Sequence, residues 1–269
     1  MELKIFFQKA VAFIKRDLLI EFSYRFQLLL NCLSIFFLIA IFFYISQLFG
    51  KAFILYLKDY KGEYFPFVMI GIAFHGYLTM TLRSFSTNIR KEQMMGTLEA
   101  MLVTPTKLST IIFSMSFWKF VFSSIFIFLY LLLGVYVFRL NLTGANFFSA
   151  IIILILTIIL FSSMGIISVS FIMVFKRGDP ITWLINLFSA LFGGVYFPIT
   201  LLPENLRFIS YFLPITYALR ALRHALLRGD TFRMLLPDIT VLLFFSILLL
   251  PLSILIFKYA VRKAKIAEV

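Results

Sequence analysis

Long apolar runs separated by short polar connections make up almost the whole chain. Six runs stand out, at about residues 27–49, 66–88, 111–138, 147–175, 181–197 and 238–257. A helix needs about 20 apolar residues to cross a hydrocarbon core, and most of the runs reach that length. They are continuous instead of alternating, which excludes the period-two pattern of a membrane β-barrel. The pattern therefore predicts an all-α integral membrane protein with six transmembrane helices. The first run passes into Phe49-Gly50-Lys51 without a small-residue cleavage pattern, so it is expected to stay as a span.

Three polar or broken segments interrupt this pattern. Ahead of the first run, Leu3, Phe7, Val11, Ile14, Leu18 and Phe22 recur every three or four residues, with Lys4, Gln8, Lys15, Arg16 and Arg25 largely off the stripe. Residues 1–26 are thus expected to form an amphipathic helix, suited equally to a membrane surface or a soluble partner. Between the second and third runs, Met94, Met95, Leu98, Met101 and Leu102 share one stripe, which predicts a short helix from about Asn88 to Thr104. Pro105 stops it, because the residue before a proline is pushed out of helical geometry. Methionines suit a surface that stays in contact while its partner shifts.

The third interruption follows the fifth run. Prolines 198, 203 and 214 cannot share one straight helix, yet residues 198–214 are mostly apolar, with only Glu204 and Arg207 charged. Broken backbone at membrane depth must be buried against protein or line a cavity. Residues 198–237 are therefore expected to form a re-entrant hairpin and then an amphipathic surface helix. On that helix Arg220, His224 and Arg228 recur every four residues with Arg223 alongside, and Leu219, Leu222 and Leu226 face away. One transmembrane domain thus covers 1–269, with spans 1–5 over 27–197, span 6 at 238–257 and a tail at 258–269.

Composition agrees: 62% of residues are hydrophobic, well above the 45–50% or so of soluble domains. The 25 Lys and Arg against 12 Asp and Glu would suggest nucleic acid in a soluble protein. Here the basic residues lie beside the apolar runs, as topology signals and lipid-headgroup contacts, and no nucleic-acid partner is expected. The set holding both termini and the 88–104 segment has 15 of them, against 9 on the other side. Both termini are accordingly expected to be cytoplasmic, in a multi-pass protein of the cytoplasmic membrane. Arg207, Arg220, Arg223, Arg228 and Arg233 weaken the bias; outer-leaflet phosphates are the favoured partners, ahead of an anionic substrate.

Candidate chemistry is sparse. Cys32 is the only cysteine, which leaves no intrachain disulfide. His75 and His224 have no second ligand at metal-binding spacing, so structural roles are expected and no metal site. Lys119 beside Trp118, and Arg83, are expected to snorkel to headgroups. Acids are absent from the interior of the runs, no catalytic arrangement stands out, and no enzyme activity is expected. No G-x-x-x-x-G-K-[ST] loop occurs, so any ATP must be bound by another chain. Phe53, Tyr56, Tyr60 and Tyr64 are expected to form an interfacial aromatic belt.

Two strings add a resemblance. Lys91-Glu92-x-x-x-Gly96-Thr97-Leu98-Glu99-Ala100-x-Leu102-Val103-Thr104-Pro105 is similar to the cytoplasmic-loop motif of the type-2 class of ATP-binding-cassette (ABC) exporter permeases. Phe197-Pro198, Leu202-Pro203, Pro214-Ile215-Thr216-Tyr217 and the arginines 220–228 resemble the segment that precedes the last span in that class.

The resemblance implies that the 88–104 helix is a coupling helix docking on a separate ATPase, formed by Glu92, Met95, Gly96, Thr97, Leu98, Glu99, Leu102 and Pro105. Glu92 and Glu99 would pair with basic residues of that motor. It also implies a re-entrant exit segment at Phe197, Pro198, Pro203, Pro214, Tyr217, Arg220 and Arg223. Sugar-exporting relatives use aromatics near the pore, which gives the tyrosines before span 2 a stacking alternative. The expected partners are two copies of an ABC ATPase carrying ATP and Mg, a second, identical permease subunit, and the lipid bilayer, with no cofactor in this chain. Six helices with few polar groups are poorly suited to enclose a route alone, which favours a pathway between subunits. The substrate class stays open among lipid, glycan, drug and other amphipathic molecules. A membrane scaffold for a non-ATPase partner is the rival. A secondary transporter should show paired broken helices or mid-membrane charges, and neither is evident.

Overall fold

The computed structural model describes residues 15, 18, 19, 23–60, 62–96, 108–175 and 179–266, and among these there is no strand. Helix α1 covers Arg25–Phe53 and leads through two 3-10 turns, Ile54–Tyr56 and Lys58–Tyr60, into α2, Tyr64–Met94. Helices α3 (Leu108–Tyr136), α4 (Phe147–Phe175) and α5 (Pro180–Phe192) follow. A 3-10 turn at Ile199–Leu201 precedes α6 (Glu204–Phe212) and α7 (Pro214–Arg223). The latter runs into a π turn, His224–Arg228, before the closing helix α8, Phe232–Ile266. The interface helix expected over 1–26 lies outside the described residues, apart from 15, 18, 19 and 23–26.

Among the described residues, five helices are long and apolar enough to cross a membrane: Arg25–Gly50, Tyr64–Lys91, Lys119–Tyr136, Phe147–Phe175 and Phe232–Lys263. The fifth expected span, 181–197, differs. α5 has only 13 residues, about 20 Å at 1.5 Å per residue against a hydrocarbon core of about 30 Å. It starts cleanly, with Asp179 as N-cap and Pro180 in the first turn. The apolar run then continues, but the helix stops at the pair Gly193-Gly194, with Gly194 at φ +73. The last span also differs from its expected 238–257: α8 is 35 residues long and takes in both Pro237 and Pro251.

α2 is the axis of the bundle, since its spanning window is 72% buried where that of α1 is 11% buried. It packs on α1, α3 and α4, while α8 lies along α4. Small residues set the α2–α4 distance, as is common where helices meet in membranes. A β-carbon on Gly165 would lie 2.7 Å from the Phe85 ring and 2.9 Å from the Leu82 carbonyl. The buried hydroxyls of Thr157, Ser163 and Ser170 donate to carbonyls one turn back in α4 and so leave no unpaired donor.

The short helices fold back into the bundle. Their tip, Phe212 to Pro214, sits with Phe161 and Met164 in the middle of α4 and Leu184 in α5 around a cavity of about 220 Å³. The shoulder of this hairpin lies near the start of α4, where the Asn146 amide donates to the Ala225 carbonyl at 2.8 Å.

Candidate functional site

At the Met94 end, α2 continues through residues 88–94 without a break, so the helix expected over 88–104 is not a separate element at its start. The reason is that nothing breaks helical geometry before Gly96. That residue takes φ +68, the left-handed conformation that closes helices and that glycine alone adopts without cost. The Met95 amide still donates to the Lys91 carbonyl at 3.0 Å. Met94 and Met95 are 82% and 61% exposed, an exposed apolar tip. Glu92 belongs to this last turn by its backbone. Thr97, Leu98, Glu99, Leu102 and Pro105 lie outside the described residues.

Asp179 sits at the same end, between α4 and α5. Its carboxylate accepts from the Thr182 amide at 3.0 Å and from the Ser168 hydroxyl, and the Thr182 hydroxyl donates to Ser168 Oγ at 3.0 Å. Burial alone would raise this carboxyl. Hydrogen bonds from Ser168, Ser86 and Thr182 together outweigh burial and hold it below the ordinary carboxylate value. Through Ser168 and Thr182, one acid links α4 and α5.

The Tyr64 end is organised around Arg223, which is 3% exposed. Its Nε donates to the Phe67 carbonyl at 3.0 Å, Nη1 to Gly194 at 2.8 Å and Nη2 to Val195 at 3.0 Å. The guanidinium carbon lies 3.5 Å from the centre of the Phe67 ring, a cation–π contact. Carbonyls 194 and 195 are available because α5 has just ended. On the other side, a β-carbon on Gly71 would fall 2.2 Å from the Val195 carbonyl oxygen and 2.4 Å from Arg223 Nη2. The guanidinium stays a cation at neutral pH, as arginine does throughout proteins.

The neighbouring arginines are also engaged internally. Arg220 Nε donates to both carboxylate oxygens of Asp238, at 2.9 and 3.1 Å, and Nη2 also bonds Oδ1. His224 Nδ1 lies 2.8 Å and Arg228 Nε 3.5 Å from the Asp230 carboxylate. Arg207 Nη2 donates to the Thr200 and Leu202 carbonyls at 2.9 and 3.1 Å. The amphipathic surface helix expected here is instead buried, with Leu219 and Leu222 fully enclosed. The physical reason is that broken backbone supplies carbonyl acceptors while Asp230 and Asp238 supply counter-charge. Four arginines of the group that weakens the charge bias are thus held by protein partners.

The aromatic belt is corrected in the same way. Tyr64 is buried, stacks on Phe53 at 4.6 Å and donates to the Tyr196 carbonyl at 3.0 Å. Tyr60 packs on Phe67 and His224, whereas Tyr56 is exposed. Of the remaining expected exit residues, Pro198 and Pro214 are buried, Phe197 is half-buried and Pro203 is exposed. Tyr217 donates to the Tyr211 carbonyl at 2.9 Å and carries the Arg220 guanidinium at 5.3 Å. A third feature is a cavity of about 380 Å³ among α1, α2 and α3, where Asn31, Ser34, His75, Tyr77 and Ser123 interrupt an apolar wall.

The profile of the ABC-2 type transporter family matches residues 10–227. This chain belongs to that family. No curated protein matches it. As an ABC-2 membrane subunit it is a transport permease; the first motif segment falls within the matched residues, and so does the second apart from Arg228. The match ends before α8, so Asp238, the carboxylate that holds Arg220, lies beyond it. Sequence reasoning missed Asp238 and Gly71 in this permease. The signal for the first was an acid opening an apolar run, which demands a cation; the second carried none.

Proposed function

We propose that this ABC-2 permease is the membrane half of an exporter in the cytoplasmic membrane, driven by ATP hydrolysis in a separate ABC ATPase. Two permease chains and two ATPases form the working unit, with ATP and Mg held by the ATPases. The Met94 end is cytoplasmic, together with both termini. There the exposed Met94 and Met95, with Glu92, Gly96, Thr97, Leu98, Glu99, Leu102 and Pro105, form the docking element for the motor. Phe197, Pro198, Pro203, Pro214, Tyr217, Arg220 and Arg223 belong to the exit side.

The observation that carries this reading is the continuity of α2. One buried helix of 31 residues runs from the exposed methionines to the carbonyl of Phe67 on which Arg223 is seated. Force applied at one end therefore reaches the hairpin through a rigid rod. The moved molecule is amphipathic, a lipid, glycan or drug, in keeping with the apolar cavity among α1, α2 and α3 and its minority of polar groups.

The test is copurification of the full chain with an ABC ATPase from the same cell, followed by reconstitution in vesicles. ATP-dependent export that requires both proteins is the expected result. Transport that proceeds with no ATPase, or an ATPase indifferent to this chain, would favour a secondary transporter or a scaffold.

A further inference from the structure

Beneath the 3-10 turn Ile199–Leu201 lies a cavity of about 230 Å³, lined among others by Tyr60, Gly194, Tyr211, Thr216, Arg220 and Arg223. Among the described side chains its charge is unbalanced. Arg220 is neutralised by Asp238, whereas the described hydrogen bonds of Arg223 all go to main-chain carbonyls. Carbonyl dipoles solvate a cation but leave its charge in place. Of the five N–H donors of a guanidinium, Arg223 uses three in this way. Thr216 adds a second, independent feature: the residue is 4% exposed, and its hydroxyl has no hydrogen-bond partner. A buried hydroxyl without a partner is costly, and Thr216 lines a cavity whose described side chains carry a net positive charge.

We propose that this cavity binds a phosphate group, with the Thr216 hydroxyl donating a hydrogen bond and the Arg223 guanidinium supplying the charge. Guanidinium donors match phosphate oxygens in geometry. The space exceeds the roughly 30 Å³ that a water molecule occupies in the liquid, so the group enters with part of its hydration. Two sources share this chemistry: the headgroup of an anionic phospholipid, and free phosphate.

The test uses the purified full chain in nanodiscs, without nucleotide or ATPase, so its failure leaves the export reading untouched and failure of export leaves this site untouched. In phosphatidylcholine discs, inorganic phosphate is compared with chloride at equal ionic strength by thermal unfolding. In discs containing phosphatidylglycerol, the lipid retained per chain is counted by native mass spectrometry. Thr216→Val removes the hydroxyl at nearly constant shape, and Thr216→Ser keeps it. A phosphate-dependent rise in unfolding temperature, with affinity lowered about tenfold or more in Thr216→Val and kept in Thr216→Ser, identifies free phosphate. Phosphatidylglycerol retention that follows the same order, without a response to inorganic phosphate, identifies the headgroup. Equal behaviour of the Val and Ser variants in both arms overturns the proposal.

Discussion

Gly71 and Arg223 approach so closely that a β-carbon on the glycine would lie 2.4 Å from Nη2 of the arginine, and 2.2 Å from the carbonyl oxygen of Val195. The oxygen belongs to the backbone and cannot swing aside. Gly71→Ala should therefore unseat the hairpin and cost about 1–3 kcal/mol, the usual range for overpacking. Gly76, further along the same helix, has open space on its side-chain face, with nothing within 4 Å of where a β-carbon would stand. Gly76→Ala should be neutral or stabilising by up to about 1 kcal/mol. Thermal unfolding of the two purified variants checks this; equal melting would remove the close approach as a determinant of the fold.

The Arg220–Asp238 pair ties α7 to the first turns of α8. Replacing either partner leaves a buried Asp238 or a half-buried Arg220 unmatched, so Arg220→Gln and Asp238→Asn should each lower stability by about 1–3 kcal/mol. The double variant should lose clearly less than the two losses added, because neither charge is then stranded. A double-mutant cycle by denaturant unfolding measures this coupling, and strict additivity would argue against it.

At the opposite end, Gly96→Ala forces a side chain into left-handed backbone at a cost of about 1–2 kcal/mol. Since the neighbouring methionines are exposed, the bundle should melt nearly as before. ATPase stimulation by the permease should fall, because the following segment leaves α2 at a changed angle. Glu99→Lys should uncouple transport with expression intact. Normal export by that variant would count against a motor-docking role.

Asp179 gives a pH signature with a defined sign. Its carboxyl is held below the ordinary value by the Ser168, Ser86 and Thr182 hydrogen bonds. The stabilisation is thus complete above the unfolded value of about 3.9 and is lost as pH falls through the lower, folded one. Wild type and Asp179→Asn should differ by a constant amount between about pH 7 and 5 and converge below about pH 4. Unfolding temperatures across that range provide the check, and a gap that widens on acidification would contradict it. Asp179→Ala should cost about 1 kcal/mol at neutral pH through loss of the α5 cap.

Hydropathy locates the long helices well, and α4 matches its expected limits of 147–175. It fails at α5, because apolar content continues through Val195-Tyr196-Phe197 while the backbone turns at Gly193-Gly194. Periodicity also misjudges α7. It assigns arginine to the polar face of a helix, yet a guanidinium can be satisfied indoors wherever a broken helix frees carbonyls, and Gly194 and Val195 do so for Arg223. The coupling segment is legible only as a motif. Its first part is the end of α2, since a stripe of methionines does not mark where one helix yields to the next.

The folded-back pair α6–α7 is fastened unevenly. At the shoulder it has the carbonyl seat of Arg223, the Asp238 bond and the Asn146 amide, whereas the toe at Phe212 to Pro214 rests on greasy neighbours beside unfilled space. The pair is thus pinned by polar contacts around Arg223, while its apolar tip reaches the middle of the bundle.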